Sequence, residues 1–137
     1  MGYDKLRALV VDDSTHTRQL IRSVLGATGM QIEESSNGAA ALERIELLPV
    51  DIVLVDYEMR PVNGIEFTRR VRENRNPIIR DVGILMMTGH ADQQHVLQAR
   101  EARIDGFISK PLSLSSILGR TENVLNRSLQ RLAAARG

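Results

Sequence analysis

A chain of 137 residues that is 42% hydrophobic and 26% charged can bury one sizeable core but not two, so a single domain is expected. With 18 Lys and Arg against 17 Asp and Glu the net charge is +1, which creates no overall field towards nucleic acid, and 3% aromatic residues are too few for a base-stacking platform. The absence of cysteine excludes disulfides, thiolate zinc sites and a cysteine nucleophile; no apolar run approaches the roughly 18 residues that span a bilayer, no signal-peptide pattern opens the chain, and it reads as cytoplasmic, without membrane contact.

Short β-branched runs alternate with helical stripes along the chain. LRALVVDD (6–13) predicts a first strand, and Leu20, Ile21, Val24 and Leu25 then recur at helical spacing. MQIEES (30–35) gives the second strand and is followed by the stripe Ala41, Leu42 and Ile45. VDIVLVD (50–56) gives the third, followed by Ile65, Phe67 and Val71. VGILMMT (82–88) is the fourth, with Val96, Leu97 and Ala99 after it, and DGFISK (105–110) is the fifth, with a last helix beyond Pro111. Residues 8–11 and 52–55 are apolar without alternation, as central parallel strands covered on both faces require. Gly26 and Gly29 close the first helix, Asn37-Gly38 opens the second and Gly64 begins the third.

Five strand-then-helix units with short, right-handed crossovers imply an α/β fold, a doubly wound five-stranded parallel sheet with five helices. The last helix is extended and differs in composition. Residues 112–137 carry Arg120, Arg127, Arg131 and Arg136 against the single acid Glu122, and Leu118, Leu125, Leu129 and Leu132 run along one stripe.

In open parallel sheets the ligand site lies beyond the carboxyl ends of the strands. The first strand ends in Asp12-Asp13, the third in Asp56, the fourth in Thr88 and the fifth in Lys110. A turn or a helix cap accounts for each of these singly, and Asp13, Ser14 or Thr15 can cap the first helix. All of them at the ends of the expected strands of one sheet favour a site. Three close carboxylates repel unless a cation sits among them, and hard oxygens without nearby His or Cys point to Mg²⁺ rather than zinc. A carboxylate in such a cluster can act as nucleophile towards phosphorus while a Lys and a Thr hydroxyl support the phosphoryl oxygens.

These residues stand in the motifs LVVDD (9–13), IVLVDYEM (52–59), LMMTG (85–89) and GFISKP (106–111), in order, and together they resemble the response-regulator receiver family, the CheY-like phosphoacceptor domains of two-component signalling. The resemblance covers residues 6 to about 127. It implies the flavodoxin-like strand order 2-1-3-4-5, phosphorylation on Asp56, and Mg²⁺ held by Asp13, Asp56 and the backbone carbonyl of Glu58, with Asp12 acting through metal-bound water. It further implies that Thr88 hydrogen-bonds the phosphoryl group, that Lys110 pairs with it, that the Lys110-Pro111 bond is cis, and that Phe107 is the switch aromatic. Met59-Arg60-Pro61 departs from the Met-Pro common in the family, displacing the proline by one. Glu58 and His90, two residues beyond Asp56 and Thr88, resemble the positions that set how long the phosphoryl group survives.

The implied function is a response regulator that takes a phosphoryl group from a histidine kinase or histidine phosphotransfer protein and changes the face built from the fourth helix, the fifth strand and the last helix. On this reading residues 1–128 form the receiver domain, 129–137 extend its last helix, no output domain follows, and the chain acts on a downstream protein target. The leucine stripe raises a homodimer through the last helix, beside simple packing on its own domain. Three rivals are weaker. A haloacid-dehalogenase-type phosphatase wants a second Asp after the nucleophile, where Tyr57-Glu58 stands. An unphosphorylated adaptor would not need the full set of site residues, and direct DNA binding lacks a recognition-helix unit. The protein is therefore expected to be a phosphoacceptor and not a turnover enzyme.

Overall fold

The computed structural model describes residues 2–89 and 93–136. The elements run β1 (Arg7–Val11), α1 (Thr15–Gly26), β2 (Gln31–Ser35), α2 (Gly38–Leu47), β3 (Ile52–Asp56), α3 (Gly64–Arg72), α4 (Pro77–Arg80), β4 (Gly83–Thr88), α5 (Gln93–Glu101), β5 (Gly106–Ser109) and α6 (Leu114–Arg136). All five strands are parallel, in the order β2-β1-β3-β4-β5. The helix count corrects the sequence pattern: six helices are present among the described residues where five stripes are legible. The additional one, α4, is a single turn too short to show a period; Asn76 caps it through Ile78 N–H at 3.0 Å and Pro77 occupies its first turn.

Alternation along the strands produces two separate cores. Leu9, Val11, Val53, Val55, Ile84 and Met86 face one side and pack with Ala41 and Ile45 of α2, Ile65, Phe67 and Val71 of α3, and Ala99 of α5. Ala8, Val10, Ile52, Leu54, Leu85, Met87 and Ile108 face the other, against Ile21 and Leu25 of α1 and Ile117, Val124 and Leu125 of α6. This is why the central strands read as continuous apolar runs.

Local signals in the chain set the helix boundaries. Ser14, Asn37 and Asn63 each accept an N–H from the first turn of the helix they precede. Gly29 lies three residues past α1 with φ of +94°, a conformation that a side chain resists. The strand order reverses between β1 and β3, since β1 is followed by β2 on one side and pairs with β3 on the other. The loops after those two strands therefore diverge and leave a crevice at the carboxyl edge.

Candidate functional site

Parity along the strands decides which side chains meet in that crevice. Ala8 and Val10 of β1, Ile52 and Leu54 of β3, and Ile108 of β5 all face the α1 and α6 side. Asp12, Asp56 and Lys110 are the next residues of the same parity in their respective segments. Lys110 comes from two strands beyond β3, yet its side chain is long enough to cross: Nζ lies 3.2 Å from Asp12 Oδ2 and 3.3 Å from Asp56 Oδ1. Asp56 Oδ1 also accepts the N–H of Glu58 at 3.3 Å, and Asp12 Oδ1 accepts that of Ser14 at 2.9 Å. Both Asp12 and Asp56 are buried.

Asp13 stays exposed because Ser14 does the capping, its Oγ accepting Thr17 N–H at 3.2 Å. It opens on a cleft shared with Tyr57, Glu58, Met59, Arg60 and Asn63. One carboxylate oxygen from each of Asp12, Asp13 and Asp56 lies within 4.8 Å of the others, so the three could hold a metal ion. The donors are hard oxygens from two neighbouring strand ends, and their crowding favours a hard divalent cation that keeps some of its water.

Electrostatics agree with that fit. Burial and the adjacent Asp12 charge push the Asp56 carboxyl above its usual range, against the pull of Lys110 and the Glu58 N–H. Burial opposes the charge on Lys110, but Asp56 and Asp12 outweigh it and hold the ammonium above its ordinary pKa. One ammonium thus faces two buried carboxylates, and among the described residues no second cation is in ion-pair contact with either side chain.

Thr88 ends β4 and is buried; its carbonyl accepts Lys110 N–H at 2.9 Å. It has the parity of Met86, and Phe107, paired with Met86 across the sheet, packs half-buried on the same core. Thr88 and Phe107 therefore share one sheet face, opposite to the face that Asp56 follows. Glu58 is exposed in the cleft, and His90 lies outside the described residues. The Lys110-Pro111 and Arg60-Pro61 bonds are both cis, the second at the displaced proline.

Three further relationships are not legible as motifs. The Tyr57 and His95 rings lie 4.4 Å apart, linking the residue after Asp56 to α5. Gly64 packs so closely that a Cβ there would sit 2.6 Å from the Asp56 carbonyl oxygen. Arg72 and Asp105 form a buried ion pair at 3.0 Å on the opposite edge of the sheet. A charge at a stripe position, Arg72 four residues after buried Thr68, is the one sequence signal among these.

Residues 8–122 match the family model of the response regulator receiver domain. The chain belongs to that family. Receiver domains are phosphoacceptor signalling domains of two-component response regulators and interact with histidine kinases or phosphotransfer proteins. This receiver domain is 32% identical to the transcriptional regulatory protein ResD of Bacillus subtilis over 93% of its length and 51% of ResD. It is 29% identical to TorR, the TorCAD operon transcriptional regulatory protein of Escherichia coli O157:H7, over 87% of its length and 50% of TorR. The chain thus spans about half the length of these curated relatives, against 93% of the Vibrio cholerae chemotaxis protein CheY-3, to which it is 24% identical over 89% of its own length. Among solved structures, Vibrio cholerae CheY4 superposes with a TM-score of 0.81 at 25% identity, covering 87% of this chain and 98% of that one. No described helix is long and apolar enough to cross a membrane.

Proposed function

We propose that this receiver domain accepts a phosphoryl group on Asp56, with Mg²⁺, from a phosphohistidine of a histidine kinase or histidine phosphotransfer protein. The observation that carries this reading is the convergence of three carboxylates with the Lys110 amine in ion-pair contact with two of them. A carboxylate oxygen of Asp56 forms the new P–O bond while the donor's P–N bond breaks and its electron pair leaves with the imidazole. Lys110 keeps the Asp56 oxygen oriented before transfer and pairs with the phosphoryl group after it. Thr88 donates its hydroxyl to a phosphoryl oxygen. Asp13, Asp56 and the Glu58 carbonyl would hold Mg²⁺, with Asp12 acting through its water; when bound, the ion supplies positive charge against the transferring group.

The output is a change of the face formed by α5, β5 and α6, read by a downstream protein. Thr88 moves towards the added anion and opens space that Phe107, on the same sheet face, turns to fill. Moving an equilibrium from 1:99 to 99:1 takes about 5.5 kcal/mol, and charge-assisted hydrogen bonds contribute about 1.5–3 kcal/mol each, so two or three made in one state alone are enough. Glu58 and His90 set the lifetime of the acyl phosphate by controlling the approach of water. On this reading residues 1–128 carry the phosphoacceptor unit and 129–137 are the extension of its last helix, Met1 and Gly137 lying outside the described residues, in a cytoplasmic protein.

Intact-mass measurement after incubation with acetyl phosphate and Mg²⁺ tests the reading. One phosphoryl group should add to the parent, none to Asp56→Asn, and consumption of acetyl phosphate should stay near stoichiometric. Unchanged mass in the parent, or continuous turnover of a phosphomonoester, would refute it.

A further inference from the structure

Along the free edge of the sheet, β5 and α6 enclose a groove lined by Asp105, Gly106, Arg120, Asn123, Arg127 and Gln130. Its one acid is already neutralised. The Asp105 carboxylate accepts Arg72 Nη2 at 3.0 Å, Ile84 N–H at 2.8 Å and Arg131 Nη2 at 3.2 Å, and pairs with Arg131 Nη1 as well. Two guanidiniums from outside the groove's lining therefore meet that one carboxylate. Arg127 spends one N–H on the Asp105 carbonyl at 3.1 Å, while Arg120 is exposed. The lone acid in the composition of this helix, Glu122, lies off the stripe and acts on Tyr3 on the far side. The groove is consequently cationic, rimmed by amide donors, in a chain whose net charge is only +1.

From this charge complementarity we infer that the β5-α6 groove docks an acidic segment of another protein. Arg120 and Arg127 are seven residues apart on one helix, about 10.5 Å along its axis. Carboxylates seven residues apart on a partner helix, or three apart on an extended strand, match that spacing at about 10 Å. A second copy of this chain is a poor occupant, because a two-fold contact would set the same guanidiniums against each other, and the one acid among the described residues lining the groove, Asp105, is already paired. The inference extends the proposed function by naming the chemistry of its downstream target. It does not require phosphorylation to be tested, so its failure and that of the Asp56 reading are separable.

The experiment is a titration of the ¹⁵N-labelled, unphosphorylated chain with a short helical peptide bearing Glu at positions i and i+7, followed by amide chemical shifts. A lysine-substituted peptide, a duplex DNA oligomer and the protein alone over a concentration series run beside it. We expect saturable shifts confined to Gly106, Asn123, Arg127, Gln130 and their neighbours. Affinity should fall about tenfold in Arg120→Glu, which breaks no side-chain hydrogen bond or ion pair among the described residues, and further in Arg120→Gln with Arg127→Gln, with the rest of the spectrum reporting an intact fold. Shifts elsewhere, no shifts, equal response to the lysine peptide, tighter binding of DNA at the same amides, or concentration-dependent broadening of the groove without peptide would each overturn the inference.

Discussion

The ring of Tyr57 lies 4.4 Å from the imidazole of His95, tilted by 42°. Tyr57 directly follows Asp56, and its backbone N–H bonds Met87 O at 2.9 Å, so the ring is anchored at the end of β3 while its partner belongs to α5. A change at Asp56 should therefore reach α5 through this contact as well as through Thr88 and Phe107. The chain holds two tyrosines and no tryptophan, so a Tyr3→Phe background leaves Tyr57 as the reporter. Its emission should change on addition of Mg²⁺ and acetyl phosphate, and His95→Leu should suppress most of that change. His95→Ala should also cost about 1 kcal/mol in urea denaturation, the size of an aromatic pair. An emission indifferent to phosphorylation that mass spectrometry registers would break the proposed link.

Asp56 should be held at the expense of stability, and the pH dependence has a definite sign. Its folded pKa stands above the ordinary carboxylate value through burial and Asp12, so the stabilising effect of protonation is complete below the unfolded value and is lost as pH rises through the folded one. At neutral pH the charged group opposes folding. Asp56→Asn should raise the urea midpoint at pH 7 without Mg²⁺, and the gain should shrink as the pH approaches the ordinary carboxylate range. Mg²⁺ at ten times its Kd should add about 1.4 kcal/mol to the parent and much less to the variant. Equal Mg²⁺ stabilisation of both proteins would remove Asp56 from the ion's ligands.

Much of this site was legible because strand ends carry it. Asp12, Asp13, Asp56, Thr88 and Lys110 each stand at the end of a strand segment, and period-two alternation plus the order reversal between β1 and β3 suffices to bring Asp12, Asp56 and Lys110 together. Which residue caps α1 was open among Asp13, Ser14 and Thr15; that Ser14 takes the role and frees Asp13 depends on loop geometry that no local pattern encodes. The single-turn α4 escaped for lack of a period, and the Tyr57–His95 contact joins residues 38 positions apart with no shared motif. The leucine stripe of α6 divides in space: Leu125 is buried, Leu118 packs partly on the core and Leu129 is exposed, while the Leu132 side chain lies outside the described residues.

At the opposite edge from the site, Arg72 holds together three elements. Its guanidinium donates to Arg80 O and Val82 O at 2.7 Å, to Arg103 O at 2.8 and 3.1 Å, and to Asp105 Oδ2 at 3.0 Å. The Arg103 carbonyl belongs to a residue with φ of +67°, so these bonds also fix a left-handed turn that lacks glycine. Asp105→Ala should cost about 3–5 kcal/mol, since it leaves a buried guanidinium without its carboxylate. Arg131→Ala, which removes the exposed partner of the same acid, should cost about 1 kcal/mol. Chemical denaturation of both variants checks the order; a larger loss from Arg131→Ala would place the anchor on α6 instead of α3.

Gly64 should be irreplaceable at low cost for a reason specific to the site. A Cβ there would lie 2.6 Å from Asp56 O, 3.0 Å from Met86 Cε and 3.1 Å from Tyr57 Cα, and two of these three atoms are backbone that cannot turn aside. The Gly64 N–H also bonds Tyr57 O at 3.1 Å, so moving α3 away would break the contact that folds the loop back after Asp56. Gly64→Ala should therefore cost about 1–3 kcal/mol through overpacking and should slow acetyl-phosphate modification of Asp56 by displacing its backbone. Gly119 supplies the control: it lies inside α6 with nothing within 4 Å of its would-be Cβ, so Gly119→Ala should add about 0.5–1 kcal/mol of stability and leave the modification rate unchanged. Urea midpoints combined with intact-mass time courses separate the two, and a Gly64→Ala protein that modifies at the parental rate would show that the loop after β3 can shift without disturbing Asp56.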